Sequence, residues 1–89
     1  MKRKTARRIK PAYYFFAVNG SVIRNIAELE KSFDDMSDDC FAYHVNDEKN
    51  DFHSWVRDVI GDELLAERLI KAKTKDKTHI AILRHMLNL

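Results

Sequence analysis

Between Tyr13 and Arg24 the chain carries two runs rich in aromatic and β-branched residues, Tyr13 to Val18 and Ser21 to Arg24, separated by Asn19-Gly20. Asn-Gly between such runs is a strong hairpin signal, because a type I′ turn needs φ > 0 at both central residues. A two-residue turn pairs Val18 with Ser21 and Phe16 with Ile23. A lone hairpin is marginal in water, so helices must cover one of its faces. The apolar period then lengthens to that of a helix. Asn25-Ile26-Ala27-Glu28 has the form of a capping box, which predicts a helix start with Ile26, Leu29, Phe33 and Met36 on its inner stripe. Ser37 caps a second short helix, with Asp38 and Asp39 in the first turn, where the helix dipole favours negative charge. Phe41, His44 and Val45 share its inner face, and the polar run Asn46 to Lys49 leads onward.

The stretch Lys49 to Asp62 contains its own start, apolar face and stop. Asn50 or Asp51 can accept from backbone N–H groups that lack a partner in the first turn, and Gly61 can close the far end. Phe52, Trp55, Val56 and Val59 recur at i, i+3, i+4 and i+7, so a central helix is expected around the single tryptophan, Trp55. Asp62 caps a further helix whose stripe is Leu65, Leu69 and Ala72, widened by Leu64 and Ile70. Lys73 to Lys77 reads as a turn or frayed end. The last helix, Thr78 to Leu89, is apolar at Ile80, Leu83 and Leu87, with Ile82 and Met86 beside them. So wide an apolar arc must either enter the core or meet a partner. The expected architecture is α+β and mainly helical: a β-hairpin over residues 13 to 24 packed on four or five short α-helices.

At 89 residues there is room for one modest core and no second domain. Cys40 has no second cysteine to pair with, and neither a signal peptide nor an apolar run of membrane-spanning length is visible, which places the protein in the cytoplasm with no membrane contact. The net charge of +2 conceals a strong segregation. Lys2, Arg3, Lys4, Arg7, Arg8 and Lys10 precede any acid, whereas all fourteen acids except Asp76 lie between Glu28 and Glu67. Residues 1 to 11 therefore read as a basic, self-repelling arm, and residues 12 to 89 as the folded domain.

From Val18 to about Leu69 the order of motifs resembles a family of small archaeal and bacterial proteins known as a domain of unknown function. The phrases that carry the resemblance are Asn19-Gly20, Ile23 with Ile26-x-x-Leu29, Met36-Ser37-Asp38, and Phe41-x-Tyr43-His44-Val45-Asn46. Lys49-Asn50-Asp51-Phe52-x-x-Trp55-Val56-Arg57-Asp58-Val59 follows, then Gly61-Asp62-x-Leu64-Leu65-Ala66. The resemblance implies a portable module, without a catalytic scaffold, and leaves the arm and the last helix outside the match.

Candidate chemistry is sparse. Cys40 and His44 stand one helical turn apart with His53 beyond, but structural zinc wants four ligands in paired spacings, so no metal and no cofactor is expected. A Cys40 nucleophile among Asp35, Asp38 and Asp39 would have its thiol pKa pushed up by their charge, and Asp51 is better used as a cap than paired with Asp58 for acid–base work. His79 and His85, six apart, do not share a helix face. No enzyme is expected. The basic arm can neutralise phosphates and release counterions, which makes Lys2, Arg3, Lys4, Arg7, Arg8 and Lys10 the nucleic-acid-binding candidates. His44, Asn46, Lys49 and Asn50 form the densest polar group near a loop and are the partner-binding candidates. The expected function is a non-catalytic binding module whose arm contacts nucleic acid or a ribonucleoprotein and whose folded part recognises a protein or itself. The alternative is an interaction or oligomerisation module with no nucleic-acid role.

Overall fold

The computed structural model describes residues 9–89. A short 3₁₀ turn, Pro11–Tyr13, leads into an antiparallel hairpin of β1 (Phe15–Phe16) and β2 (Val22–Ile23). Five helices follow: α1 (Ile26–Ser32), α2 (Asp38–His44), α3 (Asp51–Trp55), α4 (Glu63–Lys71) and α5 (Lys75–Met86). The α+β, mainly helical class read from the sequence is the class observed.

Each helix starts where a short polar side chain supplies an acceptor. Asn25 accepts from Glu28 N–H, Ser37 from Cys40, Asn50 from His53, Asp62 from Leu65 and Thr74 from Lys77. Losing one such cap costs about 1 kcal/mol. The capping box at α1 is only half closed. Glu28 returns its carboxylate to the backbone N–H of Arg24, at 2.9 Å, one residue before the cap, because the Arg24 guanidinium holds it there at 2.6–3.1 Å.

The hairpin pairs Phe15 with Ile23 and Phe16 with Val22, one residue out of the expected register. Val18, Asn19 and Gly20 form a three-residue loop: Gly20 N–H donates to Ala17 C=O and Ala17 N–H to Ser21 C=O, both at 2.9 Å. Gly20 has φ +94°, whereas Asn19 stays at negative φ, so a type I′ turn is not formed. The geometry is that of a turn followed by a left-handed glycine bulge. Because strand side chains alternate, the slip turns Phe15 and Ile23 inward and leaves Phe16 and Val22 outside.

Phe52 is fully buried and sits among four rings. It stacks on Phe15 (5.0 Å between centroids) and Phe41 (6.2 Å) and tilts against Phe33 (5.8 Å) and His44 (5.5 Å). The rings of the core therefore converge on Phe52, one turn before Trp55 on the same helix. Trp55 meets Phe15 edge-on and uses its indole N–H to donate to Tyr13 C=O at 2.8 Å, which ties α3 to the start of the hairpin. Ile9 also packs against this core.

After Trp55 the central helix does not run on as one α-helix to Gly61. Val56–Ile60 is wound as a π-helix, with Gly61 N–H bonded to Val56 C=O at 2.8 Å and Gly61 in the left-handed conformation at φ 79°. The wider turn buries Val56 and Ile60 together and leaves Val59 at the edge of the core. On α4, Leu65 and Leu69 are buried with Ala66 and Ala72, but Leu64 and Ile70 face outward and do not widen the stripe.

The last helix differs most from expectation. Thr74 caps it, so Lys75 to Lys77 is its first turn and not a frayed end. Its core side is Thr78 and Ile82, with Ala81 beside them; Thr78 hides its hydroxyl by donating to Ala72 C=O at 2.9 Å. Residues two apart on a helix are rotated by about 200°, so Ile80 lies opposite both. Ile80, Leu83 and Leu87 do form a continuous stripe, but they are 54%, 38% and 66% exposed.

Candidate functional site

The polar group predicted as partner-binding is brought together around the α2–α3 connection and divides into an interior and a surface half. His44 is buried at the end of α2. Its Nε2 accepts from the Val18 backbone N–H at 3.0 Å, so that nitrogen bears no proton. Its Nδ1–H donates to Asp51 Oδ2 at 2.9 Å. One ring thus joins the hairpin loop, α2 and the first turn of α3, which also explains why Val18 N–H is not spent on a tighter hairpin turn. Asn50, likewise buried, accepts from His53 N–H with its oxygen and donates its amide to Leu69 C=O at 3.1 Å, at the C-terminal end of α4. Both side chains have their polar capacity turned inward.

Asn46 and Lys49 are exposed. Asn46 accepts from Glu48 N–H at 3.0 Å and donates to Ala42 C=O at 3.1 Å, while Asn46 N–H and Lys49 C=O close the loop at 2.9 Å. The Lys49 ammonium bonds Asp51 Oδ2 at 2.9 Å and lies 4.6 Å from the Tyr43 ring centroid, and its hydrogen bond to Asp51 raises its pKa. This half presents an ammonium, an aromatic ring and an amide to solvent.

Of the nucleic-acid candidates, Lys10 is exposed beside the Pro11–Tyr13 turn. Lys2, Arg3, Lys4, Arg7 and Arg8 lie outside the described residues. Of the aromatics next to the arm, Phe15 is core, Tyr14 is half-buried, and Tyr13 and Phe16 are exposed.

The nucleophile and acid–base arrangements weighed from sequence do not assemble. Cys40 is buried on α2, and His44, one turn away, has both ring nitrogens engaged elsewhere. Asp58 bonds Arg57 at 2.8 Å, and that guanidinium holds the carboxyl below the usual carboxylate range. Asp51 is bound to His44 and Lys49. Glu28 is similarly lowered by its hydrogen bonds to the Arg24 guanidinium. Arg24 and Glu28, with Tyr14, Val22, Lys31 and Asp35, line an open groove of about 490 Å³ between β2 and α1. Its charges are of both signs, and its one guanidinium is already paired.

Among the described residues, Cys40, His44 and His53 do not converge as a ligand set, whereas Glu30, Asp34 and His79 do. Sequence spacing could not find the second group, because His79 reaches Glu30 across 49 positions. His53 donates Nδ1–H to Ala66 C=O at 2.6 Å, and His85 bonds the α4 cap Asp62 at 2.7 Å. No helix of the described residues is long and apolar enough to cross a membrane.

Searches of curated proteins and of solved structures found no match. A family model does match, over residues 7–88, a span that takes in Arg7, Arg8, Lys10 and α5 as well as the stretch from Val18 to Leu69. With that match spanning nearly the whole chain, the protein belongs to the family of unknown function DUF5752.

Proposed function

We propose that the chain is a small non-catalytic binding module of the cytoplasm. Its folded part meets a protein or a second copy of itself, and its basic arm contacts nucleic acid or a ribonucleoprotein. The observation that supports the folded half of this reading is the outward stripe Ile80, Leu83 and Leu87, joined at the chain end by exposed Met86 and Leu89. Scattered surface leucines are ordinary; a helical stripe on the side away from the core is a surface shaped to be covered. Asp76, Lys77 and Arg84 lie within one turn of Ile80 on the same side of α5, so the edges of the stripe carry both signs of charge. The exposed pair of Asn46 and Lys49 offers a separate polar contact. In the same reading, Lys49 to Asp62 is the phrase that marks the family among its archaeal and bacterial members.

Support for the arm is electrostatic. Lys2, Arg3, Lys4, Arg7, Arg8 and Lys10 concentrate cations within one short segment, and phosphate neutralisation by such a segment weakens steeply with salt. A gel-shift titration with generic RNA and DNA at two salt concentrations tests it, using the full chain and a variant lacking residues 2 to 10. Binding that fades with salt and is lost with the arm is expected. Absence of binding by the full chain, or binding unchanged by the deletion, overturns the nucleic-acid role and favours the interaction module alone.

A further inference from the structure

We propose that Glu30, Asp34 and His79 form a site for a divalent first-row transition ion, clamping α5 onto the end of α1. His79 comes from α5 and the two carboxylates from α1 and the turn that follows it. One donor atom from each lies within 4.8 Å of the other two. Ligands held at about 2.0–2.2 Å from a tetrahedral ion lie roughly 3.3–3.6 Å from each other, so an inward movement of about 1 Å by one side chain completes the set. Asp34 can supply that shift. It is exposed, and among the described residues its side chain has no hydrogen bond or ion pair.

His79 is already aimed. Its ring stacks on Phe33 at 5.1 Å between centroids, with 18° between planes, and its Nε2 is 2.8 Å from Glu30 Oε2. An arriving ion takes Nε2 of the neutral ring, whose proton then sits on Nδ1, and replaces the hydrogen bond between His79 and Glu30 with two coordinate bonds. An imidazole with two carboxylates favours Zn²⁺ and its first-row neighbours over Ca²⁺ or Mg²⁺, which prefer all-oxygen shells. Three protein ligands on an open surface leave further positions for water or a partner's side chain.

The test is thermal unfolding of the full, tag-free chain with and without ZnCl₂, together with NMR of the histidine side chains. At a hundredfold excess over its dissociation constant, Zn²⁺ should raise the midpoint by about 10–20 °C. The His79 imidazole signals should move with one-to-one stoichiometry, ahead of those of His44, His53 and His85. His79→Ala should abolish the shift, and Asp34→Asn, which removes a surface charge without touching the core, should weaken binding at least tenfold. No rise in midpoint, or the same rise in Asp34→Asn, overturns the site. So does Zn²⁺ titrating another histidine first.

Discussion

Truncating Phe52 to alanine removes a ring that touches Phe15, Phe33, Phe41 and His44 from a fully buried position. Such a truncation costs about 3–5 kcal/mol, a large share of the roughly 5–15 kcal/mol that holds a small domain together. Urea unfolding should show a midpoint far below that of the parent chain, or no folded baseline at all. The four partner-binding candidates divide by the same logic. His44→Ala leaves Val18 N–H without its acceptor and Asp51 without its buried donor, a loss of about 1–3 kcal/mol. Lys49→Ala should leave the urea midpoint essentially unmoved, since its ammonium is exposed and screened by solvent. A His44 variant as stable as the parent would contradict the bonding described for it. Sequence alone could group these residues, because all are polar and near a loop. It could not divide them, because the partners of His44 and Asn50 lie on the hairpin loop and at the end of α4, distant in the chain.

At the scale of elements, caps and stripes were legible and their exact seating was not. The N-caps Asn25, Ser37, Asn50 and Asp62, the stripe of α1 and, without Leu64 and Ile70, the stripe of α4 are local chemistry, and they stand where the pattern puts them. The hairpin was visible in Asn19-Gly20, but its register depends on whether Asn19 also adopts positive φ, and it does not. Gly20 alone carries the left-handed conformation, and a Cβ built there meets nothing within 4 Å. Gly20→Ala should therefore cost about 1–2 kcal/mol through backbone strain alone, while Gly20→Asn should cost less, because asparagine enters that region more readily. Equal stability of all three chains in urea would show that the loop does not need the conformation. The π-wound turn of the central helix left no sequence signal, since it is the packing of Val56 and Ile60 that selects it. On α5 the apolar period was legible, but not whether it entered the core or faced outward, and Ile80, Leu83 and Leu87 face outward. Thr78 occupies the core face because Ala72 C=O accepts its hydroxyl proton, a partner that hydropathy does not register.

Taken as a whole molecule, the chain keeps its buried polar groups satisfied from within: none of the described side chains has a buried nitrogen or oxygen without a hydrogen-bond partner. Among the described residues, what it turns to solvent includes the outer face of α5, the outer side of the hairpin at Phe16 and Val22, and the loop of Asn46 and Lys49. The binding-module reading therefore requires the α5 stripe to be dispensable for folding. The direct test is urea unfolding of the triple variant Ile80→Gln, Leu83→Gln, Leu87→Gln beside Ile82→Gln. The account predicts that the triple variant keeps its stability to within about 1 kcal/mol, as surface substitutions do, whereas Ile82→Gln, which places an amide at a fully buried position, loses several times that. A triple variant that unfolds as readily as Ile82→Gln would mean that the stripe belongs to the protein's own core, and the proposed binding face would be lost with it.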